Sequence, residues 1–197
     1  MQFSELEAFR LVGGTALSLQ LSHRISVDID LFTDAQFGSI DFSAIGEKLK
    51  KEFLFVETGT EHNIGFGKMY YIGDECEKPI KLDLFYTDNF VFPIVMKDNI
   101  RIADIREIAA MKLEVISRSG RKKDFWDLIE LLEHFSLSEL IDFFKQKYQY
   151  IDVEEVYKGI TNFEQADNEI DPICIKGRYW ELIKADIIEL VTRLKIN

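Results

Sequence analysis

Asp28 and Asp30, in the run Val27-Asp28-Ile29-Asp30-Leu31, are the residues here whose types and spacing suggest chemistry. Side chains alternate along a strand, so both carboxylates would leave one face, about 7 Å apart. Val27, Ile29 and Leu31 would leave the other face, toward a core. Two carboxylates on a rigid strand make a poor core and a good clamp for a divalent cation. Mg2+ prefers hard oxygen ligands, often one or two carboxylates, and completes its shell with water and substrate phosphate. Upstream stand Gly13, Gly14 and Thr15. A Gly-Gly turn lets backbone approach a ligand closely. A helix opening at Thr15 presents free N–H groups and the positive end of its dipole, which suits phosphate. A metal clamp beside a phosphate cradle points to a nucleoside triphosphate handled with Mg2+. Asp-x-Asp alone would read equally well as a solvated strand face; the glycine turn before it favours the metal.

The elements that must hold these residues follow from periodicity. Residues 3–10 read as a short helix entering the glycine turn. Asp41 is placed to cap a helix carrying Phe42, Ile45 and Leu49, with Lys50 and Lys51 at its C-terminal end. Strands are expected over 53–56, 64–72 and 79–86, with a turn over 74–79. In the last strand Ile80, Leu82 and Leu84 share one face, and Lys81, Asp83 and Phe85 the other. Asp83 is thus a third carboxylate on a strand.

From Arg101 the pattern turns helical: Ile102, Ile105, Ile108, Ala109, Leu113 and Ile116 make one apolar stripe. Lys112 falls inside it. Either its stem is buried with the ammonium in water, or this part of the stripe lines a cleft and Lys112 reaches an anion or one of the acids Asp28, Asp30, Asp83 or Asp124. Gly120 is expected to end this helix as a left-handed cap. A second helix over 122–135 would bury Phe125, Leu128, Ile129, Leu132 and Phe135. Asp124 lies at the edge of that face, and Asp127 on the outer, solvated face. Further helices are expected over 138–148, 153–165 and 178–195, the first two opened by capping-box spacings. Tyr179, Leu182, Ile183, Ile187, Leu190, Val191 and Leu194 would face inward in the last.

Composition sets bounds. The chain has 197 residues, 47% of them hydrophobic, with 16 Phe, enough for a full aromatic-rich core. No apolar run reaches the roughly 20 residues of a membrane span, and no secretory leader is visible. Cys76 and Cys174 are far apart and show no metal-ligand spacing, which suits a reduced, cytoplasmic protein. A net charge of −11 argues against a general nucleic-acid binder, so any RNA site must be local.

The string Gly-Gly-Thr-Ala-Leu…His-Arg-x-Ser-x-Asp-Ile-Asp-Leu-Phe resembles the AbiEii/AbiGii toxin branch of the polymerase-beta-like nucleotidyltransferase superfamily. Lys-Leu-Asp-Leu around Asp83, Met-Lys-Leu-x5-Arg at Lys112 and Arg118, and Lys-Asp-Phe-Trp-Asp-Leu from Lys123 and Asp124 resemble it too. The resemblance implies an α+β fold: a small mixed sheet with flanking helices over 1–100, then a helical bundle over 101–197 closing the cleft. It implies two Mg2+ ions, with Mn2+ as a substitute, bridged by Asp28 and Asp30. Asp83 would complete the catalytic metal's shell. Gly13, Gly14 and Thr15 would cradle the triphosphate, with Arg24, Lys112, Arg118, Lys123 and Asp124 as the further nucleotide and catalytic groups. The implied reaction moves a nucleoside monophosphate from an NTP to an acceptor hydroxyl, with RNA such as tRNA as acceptor and a cognate antitoxin as partner. A same-fold transferase acting on a small molecule or protein side chain, or a non-catalytic nucleotide-binding module, is the alternative.

Overall fold

The computed structural model describes residues 3–59 and 65–196, with side chains through Arg193. The chain forms two compact units. One contains the residues up to Ala16 together with Ser26–Asp104; the other contains Leu17–Ile25 and the chain from Ile105 on.

The first unit is built on a seven-stranded mixed sheet. Its strands are β1 (Arg10–Val12), β2 (Ile29–Thr33), β3 (Phe55–Thr58), β4 (Gly67–Gly73), β5 (Ile80–Tyr86), β6 (Ile94–Lys97) and β7 (Ile100–Ala103). Their order is β3-β4-β5-β2-β1-β7-β6. The β2–β5 and β1–β7 pairs are parallel, and the remaining pairs antiparallel. This is an α+β fold. Leu31, Thr33, Leu82 and Leu84 are buried on one face of the central strands; Asp30, Phe32, Lys81, Asp83 and Phe85 alternate with them and are half-buried. Helix α1 (Gly13–Leu21) starts directly after β1, and α2 (Phe42–Glu52) is capped by Asp41, whose Oδ1 accepts from Ser43 and Ala44 N–H at 2.9 Å.

Several edges differ from the sequence expectation. The segment expected as a helix over 3–10 is one 3-10 turn, Ser4–Leu6, followed by β1. Ile102 belongs to β7, not to a helix, because Asp98 and Asn99 both adopt left-handed φ (50° and 61°) and close a two-residue hairpin between β6 and β7. Val27 lies before β2 and is 66% exposed rather than inward. The expected start of the second strand, Ile64, lies outside the described residues.

The second unit is helical: α3 (Ile105–Ser119), α4 (Lys122–Leu131), α5 (Leu137–Lys147), α6 (Val153–Ile160), α7 (Glu164–Asp167) and α8 (Trp180–Ile196). Its core holds Ile108, Leu113, Ile116, Phe125, Trp126, Leu128, Phe144 and Val156. Trp126 and Trp180 stack with centroids 5.6 Å apart. Trp180, Ile183, Ile187 and Val191 form the inward stripe of α8, whereas Tyr179 and Leu182 are exposed; the true stripe is rotated from the expected one, and Leu194 lies outside the described side chains. Gly120 follows α3 without a left-handed φ. The expected capping box opens α5: Ser136 N–H donates to Glu139 Oε2 at 2.8 Å, and Glu139 N–H to Ser136 Oγ at 3.2 Å.

Candidate active site

Strand pairing assembles the acidic face. Asp30 and Asp83 stand opposite each other in register on the parallel neighbours β2 and β5. In-register residues of adjacent strands share a face, so the two carboxylates do. Val12 flanks Asp30 on β1, and Met69 flanks Asp83 on β4. Asp28 precedes β2 and is positioned through its backbone: the Thr15 hydroxyl donates to the Asp28 carbonyl and lies 3.0 Å from Ser26 Oγ. Thr15 thus ties the first turn of α1 to the approach of the Asp-x-Asp strand.

Gly13 is where the glycine turn meets the acids. Its φ is +68°, and a Cβ there would lie 2.2 Å from Asp30 Oδ2. Both backbone conformation and space demand glycine at this position. Gly14 lies within α1 with ordinary φ.

Among the described residues no three Asp, Glu, His or Cys side chains form a ready-made metal cluster. The acidic face still suits Mg2+, which needs only one or two carboxylates and takes the rest of its shell from water and phosphate. Asp83 Oδ2 binds the Lys81 ammonium, while Oδ1 is buried and without a hydrogen-bond partner. A buried carboxylate oxygen without a partner carries a desolvation cost, and a cation brought in with substrate would relieve it.

In the second unit Asp127 is the centre of a buried network. It is 0% exposed, against the expectation of a solvated outer-face residue. Lys112 Nζ lies 2.6 Å from Asp127 Oδ2 and 2.7 Å from Asp124 Oδ1. Arg24 donates to Asp127 through Nε at 2.6 Å and Nη2 at 2.9 Å, a bidentate fork. His23 Nε2 lies 2.7 Å from Asp127 Oδ1, and the neighbouring backbone pairs with 173–175. Burial alone would raise the Asp127 carboxyl, but the Lys112 ammonium and hydrogen bonds from His23 and Arg24 hold it well below the usual carboxylate range. Burial likewise opposes the charge of Lys112, and Asp127 and Asp124 reverse this, raising its pKa. Lys112 is 7% exposed, so its ammonium is not in bulk water. Asp124 also accepts from the Arg121 N–H at 3.0 Å, stabilising the start of α4.

The helical residues expected at the nucleotide therefore divide. Lys112, Arg24 and Asp124 are buried together; Lys123 is half-exposed; Arg118 has a largely exposed side chain paired with Glu114. Asp127 and His23 were missed as members of this group. Asp124 and Asp127 stand three residues apart on one helix, which places them on neighbouring positions of one face; that spacing was the available signal.

The fold thus brings a glycine turn and the start of a helix beside a pair of acidic strands. The model of the AbiEii family, nucleotidyl transferase toxins of type IV toxin–antitoxin systems, matches residues 2–193. The chain belongs to that family and is a toxin-type nucleotidyltransferase. An uncharacterised protein of Aquifex aeolicus is 32% identical, over 89% of this chain and 82% of that protein. A Helicobacter pylori protein described as a nucleotidyltransferase superposes with a TM-score of 0.56 at 20% identity, covering 94% of this chain and 85% of its own. MenT4, a nucleotidyltransferase toxin of Mycobacterium tuberculosis, also gives a TM-score of 0.56, at 12% identity over 93% of this chain and 75% of its own. Both structures share the fold. Among the described residues no helix is long and apolar enough to cross a membrane.

Proposed function

We propose that this toxin-type enzyme moves a nucleoside monophosphate from an NTP to a hydroxyl of an RNA acceptor such as tRNA, with Mg2+. The observation that carries the reading is the in-register Asp30–Asp83 pair beside the Gly13 turn. Asp28, Asp30 and Asp83 are the groups that would hold the metal, and bound Mg2+ would clamp the attacking and leaving oxygens of an in-line displacement. Free N–H groups at the start of α1 receive the triphosphate. The acceptor oxygen forms a bond to the α-phosphorus, the α–β phosphoanhydride bond breaks, and pyrophosphate leaves. Asp83 would complete the shell of the metal and, standing beside Asp30, would help to take the acceptor proton.

Arg24, Lys112, Arg118, Lys123 and Asp124, all of the helical unit, are the further groups that this reading assigns to the nucleotide. The net charge of −11 favours the rival reading of a small-molecule or protein acceptor. Incubation with each labelled NTP, Mg2+ and either total RNA or small acceptors separates the two. Label is expected in RNA, lost on chelation, and reduced about a hundredfold or more in Asp30→Asn, as for loss of a transition-state contact. Label confined to small molecules or protein would overturn the RNA acceptor, and full activity of Asp30→Asn would overturn the metal site.

A further inference from the structure

The tripeptide Asp-Leu-Phe occurs at Asp30–Phe32 and again at Asp83–Phe85, and the two copies lie in register on the parallel pair β2–β5. The carboxylate row is therefore followed, two residues further along the same face, by a row of two rings. Phe32 and Phe85 meet edge to face, with centroids 6.1 Å apart and planes at 70°. Both residues are half-buried, while Leu31 and Leu84 beside them on the opposite face are fully buried. Both phenylalanines therefore keep accessible surface on the acid-bearing face, opposite the packed one. The Phe85 ring is seated by Gly67, its partner on β4: a Cβ at Gly67 would lie 2.5 Å from Phe85 Cδ1. On the other side Arg10 stands opposite Phe32, and its guanidinium lies 4.2 Å from the Phe90 ring centroid. Aromatic faces beside an arginine are what proteins use to stack bases of single-stranded nucleic acid.

Strand direction says which base. β1 runs antiparallel to β2 with Val12 opposite Asp30. Gly13 and the start of α1 therefore lie toward the Asp28 end of the carboxylate row, and the ring row lies at the other end. In-line displacement puts the attacking oxygen opposite the leaving pyrophosphate. With the pyrophosphate toward the helix start, the acceptor arrives from the side of the rings. One strand repeat, about 7 Å, separates rings from carboxylates, a span on the scale of one nucleotide.

We propose that Phe32 and Phe85 form a stacking platform for the terminal nucleobase of a single-stranded nucleic-acid acceptor, delivering its ribose hydroxyl to the Asp30–Asp83 row. The inference rests on the nucleotidyl-transfer reading and adds to it the single-stranded form of the acceptor's end and the residues that receive its base. The test uses the full chain, Mg2+, labelled NTP and short single-stranded RNAs ending in an intact or an abasic nucleotide. Phe32→Leu and Phe85→Leu are expected to raise the acceptor KM about tenfold, with kcat and NTP affinity near wild type. The abasic acceptor should show the raised KM in the wild type and little further change in the variants. Phe85→Tyr, which keeps a ring, should restore the wild-type KM. NTP binding by calorimetry reports whether each variant is folded.

An unchanged acceptor KM in folded variants would overturn the platform. So would a loss confined to NTP affinity, which would assign the rings to the incoming nucleotide. A wild type that binds Mg-NTP yet modifies no oligonucleotide would overturn the acceptor class and leave nucleotidyl transfer standing. A wild type that binds no NTP would remove the reading beneath both.

Discussion

Asp127 holds three cationic or donor side chains from separate stretches of the chain: Lys112 from α3, and Arg24 and His23 from the segment after α1. Taking one partner from a buried ion pair leaves an uncompensated charge, at a cost of about 3–5 kcal/mol. Asp127→Asn and Lys112→Met should each be destabilised on that scale in urea unfolding. For Lys112→Met this reverses what the apolar stripe alone implies, that removing its charge would be neutral or stabilising. The stripe could not reveal that two buried carboxylates depend on the ammonium. The network also sets a pH dependence. The folded Asp127 pKa lies below its unfolded value of about 3.9. Its contribution is therefore complete above about pH 5 and is lost as pH falls through that value toward the folded pKa. Lys112 is raised above about 10.4, so its contribution is complete below that unfolded value and is lost as pH rises through the folded one. The contribution of this network to the unfolding midpoint should thus be constant between these limits, and Asp127→Asn should flatten the acid limb; an unchanged acid limb in that variant would exclude this role.

At the scale of elements, the turn between β1 and α1 decides where the acids sit. Gly13→Ala would force a Cβ into the Asp30 carboxylate at a backbone φ of +68°. We expect this variant to fold and to lose Mg-NTP affinity at least tenfold, read by titration, since a left-handed alanine costs only about 1–2 kcal/mol while Asp30 must move. Gly14, the more obvious candidate from the pattern alone, sits in helical geometry and makes the weaker test. The β6–β7 hairpin gives a second case. Asp98-Asn99 is a readable signal for a two-residue turn, yet the apolar residues after it also fit the start of a helix, and the helical period took in Ile102. Asn99→Ala should cost about 1 kcal/mol in thermal unfolding, because Asn tolerates φ of 61° better than alanine.

At the scale of the molecule, the two units are not consecutive halves. The chain passes between them at 16/17, 25/26 and 104/105. A fragment beginning at Ile105 would lack Arg24 and His23 and leave Asp127 and Lys112 in a depleted network. It would also lose the backbone pairing of 23–25 with 173–175. We expect that fragment to unfold at distinctly lower urea than the same helices in the full chain, by circular dichroism, and a peptide of residues 17–25 to stabilise it. Equal midpoints would show that the inserted segment contributes nothing.

The sequence by itself placed Asp30 and Asp83 on strands with a glycine turn upstream. Asp30, Asp83 and the glycine turn are local patterns that depend on two-residue alternation and on glycine's backbone freedom, both readable from neighbours in the chain, whereas Asp28 falls just before β2 and outside that alternation. It also determined the capped helices α2 and α5, whose start signals lie within four residues. Tertiary structure decided everything that depends on distant partners. The register of β2 on β5 aligned the two Asp-Leu-Phe tripeptides, and docking of residues 17–25 against α4 turned an outer-face aspartate into a buried hub. A helical wheel cannot distinguish solvent from another segment of the same chain, and that physical ambiguity is why the sequence alone places Asp127 on the surface.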